Sequence, residues 1–178
     1  LAQARVSHTA TLLRSGEVLV VGGSFGSSRR SASEKYDSIS SQWSSAGIVP
    51  EGRSHHEATL LPNGRVLVTG GVYASGTSAS VVLFDPETQS YAAVASLQSK
   101  RAMHTATVLP DGVVFVVGGS DYPQYLTSCE ALPLGTGVWN TVSGPMFTTQ
   151  SNYPYFDMVV LPDQRLLLLA GQVDEVQA

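Results

Sequence analysis

Two side-chain types able to do chemistry return at one interval along this 178-residue chain. Arginine stands at Arg5, Arg53 and Arg101, and histidine three residues later at His8, His56 and His104, each set 48 residues apart. Histidines brought together about an axis could bind a metal or move protons. The regularity argues the other way. Every copy reads Arg-x-x-His-x-Ala-Thr, and catalytic sites are asymmetric, whereas a repeated packing problem is solved alike each time. The expectation is structural: Arg and His tie each unit to its neighbour by hydrogen bonds. Departures from the pattern say more. His55 adjoins His56, where neighbours on a strand point to opposite faces and chelate poorly, so it reads as an exposed polar residue. Glu34 and Glu130 match across two intervals, with Val82 between them, and read as solvated surface residues. Cys129, the single cysteine, reads as a small buried hydrophobe, or as the partner of a cysteine outside this sequence. Nucleotide-loop, Gly-x-Ser-x-Gly, Cys-x-x-Cys and His-Glu-x-x-His patterns do not occur, and no catalytic residue or metal ligand is assigned.

The elements that position these residues share the period. Diglycines fall at Gly22-Gly23, Gly70-Gly71 and Gly118-Gly119, and a large aromatic falls at Trp43, Tyr91 and Trp139. Each unit opens with a strand (8–13, 56–61, 104–109). A turn follows at Arg14-Ser15-Gly16, Pro62-Asn63-Gly64 or Pro110-Asp111-Gly112, where Asn-Gly and Asp-Gly tolerate positive φ. Next comes an uninterrupted apolar strand (18–21, 66–69, 113–117), as expected where both faces are covered. The diglycine ends it. Polar loops at 24–33 and 73–80 lead to a third strand at 34–37 or 81–85, and a turn to the fourth, which carries the aromatic. Four antiparallel strands per 48 residues make one blade of a β-propeller. Blade 1 spans about 5–52, blade 2 about 53–100 and blade 3 about 101–148. A fourth begins at about 149–178, displaced by 52 rather than 48, with Ala170-Gly171 in place of the diglycine.

Bulk composition agrees. Apolar residues make up 43%, charged residues 13%, and there are 17 glycines, the profile of an all-β, turn-rich domain. A net charge of −4 gives no basic footprint for nucleic acid or membrane. The apolar runs at 113–119 and 166–171 are strand-sized and too short to cross a bilayer. With no signal peptide and no initiator Met, the chain is expected to be a piece of a longer protein. Three and a half blades do not close a ring. Further blades are expected from the remaining chain, or else from a second copy.

The stretch Arg53…His56-Glu57-Ala58-Thr59-Leu60-Leu61-Pro62-Asn63-Gly64-Arg65-Val66-Leu67-Val68-Thr69-Gly70-Gly71 resembles the kelch repeats of galactose oxidase and glyoxal oxidase relatives. Asn152-Tyr153-Pro154-Tyr155-Phe156-Asp157-Met158-Val159-Val160-Leu161-Pro162-Asp163 is similar to a blade opening of the glyoxal oxidase family. The resemblance implies a kelch-type propeller. It also implies one copper ion held by two tyrosines and two histidines, with a radical tyrosine crosslinked to a cysteine. That pair would sit on successive blades, two residues after the repeat arginine. Here those positions carry Ser7, His55 and Met103, and Tyr155 in the fourth unit belongs to the Tyr-Pro motif and reads as structural. Copper is therefore expected only under an oxidase alternative whose other ligands lie beyond residue 178.

What remains is a non-catalytic binding or scaffold module. Its partner, protein or carbohydrate, is expected at loops 24–33, 73–80, 121–126 and 147–155, which vary in length and composition on a constant frame. Asp121, Tyr122 and Tyr125 are the best contact residues, with Tyr73 and Tyr153 beside them. The oxidase resemblance favours an extracellular or cell-surface setting, with the cytoplasm as the alternative. A structural half-propeller that assembles with another chain is the third reading.

Overall fold

The computed structural model describes residues 1–133, 135–142, 156–163 and 165–170. Three antiparallel sheets follow one plan, each with its strands side by side in chain order. Blade 1 uses Thr9–Leu12, Val18–Val21, Ala32–Asp37 and Gln42–Ile48. Blade 2 uses Glu57–Leu60, Val66–Thr69, Val81–Asp85 and Ser90–Val94. Blade 3 uses Thr105–Val108, Val114–Val117, Cys129–Leu132 and Asn140–Val142. Phe156–Val160 pairs with Leu166–Ala170 as the opening of a fourth. The first strands of successive blades pack on one another, so they lie innermost. The result is part of a propeller ring, with no helix among the described residues.

Alternation along the second strand decides how blades stack. Val66 and Val68 face blade 1, where Leu13, Leu19, Val21, Ala46 and Val49 complete one core. Leu67 faces the other way, and with Leu61, Val81 and Leu97 it packs on Val114, Val116 and Trp139 of blade 3. All four residues of Val66–Thr69 are buried, as an uninterrupted apolar strand demands.

The turn after the first strand is a three-residue loop closed from Leu61 N–H to Arg65 O at 2.8 Å. Positive φ is needed only at its last residue: Gly16, Gly64 and Gly112 lie between 85° and 87°. Asn63 and Asp111 serve differently, each accepting a backbone N–H two residues on at 3.1 Å.

The diglycine has two separate jobs. A Cβ on Gly70 (φ 57°) would collide with the Arg101 carbonyl and come within 2.9 Å of His104 in the next blade. A Cβ on Gly71 (φ 107°) would meet Ser54 O and His56 Cβ of its own blade at 2.9 Å. One glycine lets the next blade approach, and the other lets the inner strand begin.

Beyond the diglycine the structure departs from the expectation of loops unequal in length. Segments 24–29, 72–77 and 120–125 each fold into the same miniature hairpin: Ser24–Phe25 with Ser28–Arg29, Val72–Tyr73 with Gly76–Thr77, Ser120–Asp121 with Gln124–Tyr125. Each is pinned by a bridge to the residue after the repeat arginine: Val6 to Ser24, Ser54 to Val72, Ala102 to Ser120. Only composition varies among them. The 147–155 loop lies outside the described residues.

Candidate functional site

The repeat arginines are buried: Arg5 is 6% exposed, Arg53 1% and Arg101 0%. In blade 3, Arg101 donates to Gly118 O at 2.7 Å, to Ser128 O at 3.2 Å, and to the Glu130 carboxylate at 2.7 Å. Arg5 repeats this with Gly22 O, Ala32 O and Glu34. Glu34 and Glu130 are thus the internal counter-ions of the arginines, not solvated surface residues. Both are buried, and Glu130 also accepts the backbone N–H groups of Gln98 and Ser99 at 2.6 and 3.0 Å. Each arginine side chain ties together strands of its own blade. Its backbone reaches the neighbour instead: Gly23 N–H donates to Arg53 O at 2.8 Å, and Arg53 N–H donates to Arg30 O at 3.3 Å.

The histidines do tie blades together. His56 Nε2 lies 3.0 Å from Thr9 Oγ1 of blade 1, and His104 Nε2 lies 2.8 Å from Thr69 Oγ1 of blade 2. The two threonines are not repeat equivalents. Blade 2 has Glu57 where blade 1 has Thr9, and the hydroxyl comes instead from Thr69, which is paired across the strands with Glu57. Burial, with the nearby arginine cation second, lowers both histidines to about 3, so they are neutral hydrogen-bonding groups.

His55 is not on a strand. It precedes one in left-handed conformation (φ 54°), as Ser7 (53°) and Met103 (57°) do in their blades. His55 N–H donates to Ser7 O at 3.0 Å, and Met103 N–H donates to His55 O at 2.9 Å, a backbone chain running from blade to blade. The His55 side chain is half-buried rather than exposed, with Nδ1 3.3 Å from Ser54 Oγ. Burial first and Arg29 second lower its pKa. Nothing in the spacing of the sequence announced this chain. Its signal is that three unlike residues share one register position.

These residues bear on the crosslinked copper centre implied by the oxidase resemblance. Ser7, His55 and Met103 supply neither the cysteine nor the tyrosine. Cys129 is buried in the core between blades 3 and 4 with Val117 and Met158, its thiol pushed up by burial, and is not beside them. The residues present do not fit that centre. Among the described residues, no group of three His, Cys, Asp or Glu side chains gathers.

At the same end of the blades, the hairpins of blades 2 and 3 wall a cleft of about 670 Å³. Met103 and Ala102 line it, as do Ser75, Thr77 and Lys100, and blade 3 contributes Asp121, Tyr122 and Tyr125. Tyr122 is 84% exposed and Tyr125 40%. Three expected contact residues therefore come together, but Tyr73 does not join them. It is 5% exposed, with its ring under the Arg53 guanidinium at 4.7 Å, because the alternation of its two-residue strand turns it inward. Tyr153 lies outside the described residues.

Residues 101–146 match the model of the Kelch motif. The fold is a kelch-type β-propeller. The solved structure titled "Structure of YjhT" superposes with a TM-score of 0.76 at 17% sequence identity, over 89% of this chain and 57% of that one. This propeller segment therefore spans little more than half the length of that structure, and at such identity the likeness concerns the fold alone. No curated protein matches the chain by sequence.

Proposed function

We propose that this propeller segment is a non-catalytic binding module, engaging carbohydrate or a protein surface through the cleft between the hairpins of blades 2 and 3. One observation carries the reading: two accessible tyrosines, Tyr122 and Tyr125, flank a concave site on a frame of buried, hydrogen-bonded strands. Tyrosine offers a flat apolar face and a hydroxyl at little cost in side-chain entropy, and Asp121, Ser75 and Thr77 add polar groups around it. An extracellular or cell-surface setting goes with this reading by analogy to the oxidases its repeats resemble.

The module needs further blades. The face of blade 1 that carries Leu12 and Trp43 corresponds by repeat to faces that blades 2 and 3 bury, yet here Leu12 is 64% exposed and Trp43 36%. The remainder of a closed ring is the cover we favour, a second copy being the alternative. Intact mass and light scattering on the natural full-length protein separate the two.

A glycan array probed with that protein tests the binding site. Saccharide binding that falls about tenfold in Tyr122→Ala/Tyr125→Ala, with unchanged melting temperature, supports the cleft and makes the ligand a carbohydrate. Saccharide binding that survives the double substitution removes the cleft from the account. Copper-dependent absorption with peroxide release would replace the whole reading by the oxidase.

A further inference from the structure

Blade 2 buries an arginine and omits its counter-ion. Where blades 1 and 3 have Glu34 and Glu130, blade 2 has Val82, itself buried. Arg53 is 1% exposed, and no described residue brings a carboxylate into ion-pair range of it. Its Nη1 is 3.4 Å from Gly70 O, a long contact, whereas the Arg101 guanidinium donates to Gly118 O, to Ser128 O and Oγ, and to Glu130.

Three routes could balance this charge. Deprotonation is closed, because guanidinium keeps its proton in proteins. The face of Tyr73 offsets part of it, but a neutral ring does not replace a carboxylate. Glu51, two residues upstream, acts on Arg53 only at a distance and is itself exposed.

The surroundings suit a ligand instead. The Tyr73 hydroxyl is buried and unpartnered, on the ring that lies under the Arg53 guanidinium. Valine is two heavy atoms shorter than glutamate, so the polar end of the missing carboxylate has no substitute from the chain. Pro50 stands where blade 3 has Gln98, so one of the two backbone donors to that carboxylate is gone as well.

We propose that Arg53, with the hydroxyl of Tyr73, binds a chloride-sized monovalent anion at the interface of blades 1 and 2. The anion stands in for the glutamate of the neighbouring blades. Tyr73 also belongs to a hairpin that walls the cleft, so occupancy ties that wall to the frame.

The test is the melting temperature of the natural full-length protein in sodium chloride against sodium gluconate at equal ionic strength. Chloride should raise it by about 5 °C at a hundredfold excess over its dissociation constant. Val82→Glu, which installs the solution used by blades 1 and 3, should abolish the difference. Equal melting in the two salts, or a chloride response undiminished in Val82→Glu, overturns the proposal. If Val82→Glu does not fold, Arg53→Gln takes its place and must lose the response. Crystals grown in bromide give a reading that needs no variant: anomalous density beside the Arg53 guanidinium is expected, and its absence refutes the site.

Discussion

At residue scale, the repeat histidines show how burial turns a catalytic-looking group into a structural one. His56 and His104 ionise at about 3 in the fold, against 6.5 unperturbed. Each folded pKa is depressed, so the stabilising contribution is complete above pH 6.5 and is lost as pH falls from there toward 3. Between pH 6.5 and 5, where most carboxylates stay ionised in both states, stability should drop with a slope that rises from about 0.7 toward about 1.4 kcal/mol per pH unit for each histidine. Urea unfolding across that range measures the slope. His56→Gln/His104→Gln should flatten it even though the variant is less stable at every pH. An unchanged slope would mean the imidazoles are hydrated in the native state. Glu34 and Glu130 teach a related lesson. A lone glutamate on a strand reads as surface, yet the valine at the equivalent position in blade 2 was the clue that the position is interior.

At the scale of the element, the diglycine and the hairpin it introduces separate two uses of glycine. Gly70 and Gly76 both have positive φ, at 57° and 115°, but only Gly70 is pressed against other backbone, while Gly76 has nothing within 4 Å of a built Cβ. Gly70→Ala should therefore cost on the order of 3 kcal/mol, since strain adds to a collision with a carbonyl that cannot move without opening the blade interface. Gly76→Ala bears only the strain, roughly 1 kcal/mol. Denaturant midpoints of the two variants check this. Equal losses would show that the contact between blades yields readily. The hairpins themselves were hidden from a sequence reading because their strands are two residues long, too short for alternation to register.

At the scale of the whole molecule, the two tryptophans report on ring closure. Trp139 is 1% exposed, with Nε1 donating to Ala95 O of the preceding blade at 2.9 Å, whereas its repeat equivalent Trp43 is 36% exposed. The difference is the presence or absence of a neighbour, because both residues occupy the same place in their blades. In the 178-residue chain alone, acrylamide should quench Trp43 (seen in a Trp139→Phe variant) and spare Trp139 (seen in Trp43→Phe). Completion of the ring should shield Trp43 and shift its emission to the blue. A Trp43 that stays accessible in the complete protein would show that blade 1 forms an open edge.

The sequence by itself determined the blade plan, because a 48-residue recurrence of glycine, aromatic and apolar strand has few other physical solutions. It also marked Tyr122 and Tyr125, which are exposed at a polar, Pro-containing turn, and the half-buried Asp121 beside them. Only the tertiary structure decided which polar residues face inward, since that depends on neighbours 17 to 47 residues away, such as Gly22 for Arg5 or Thr9 for His56. Pairing between distant groups leaves no local period. The turned-in Tyr73, the unpaired Arg53 and the backbone chain through Ser7, His55 and Met103 all became visible only once the blades were stacked.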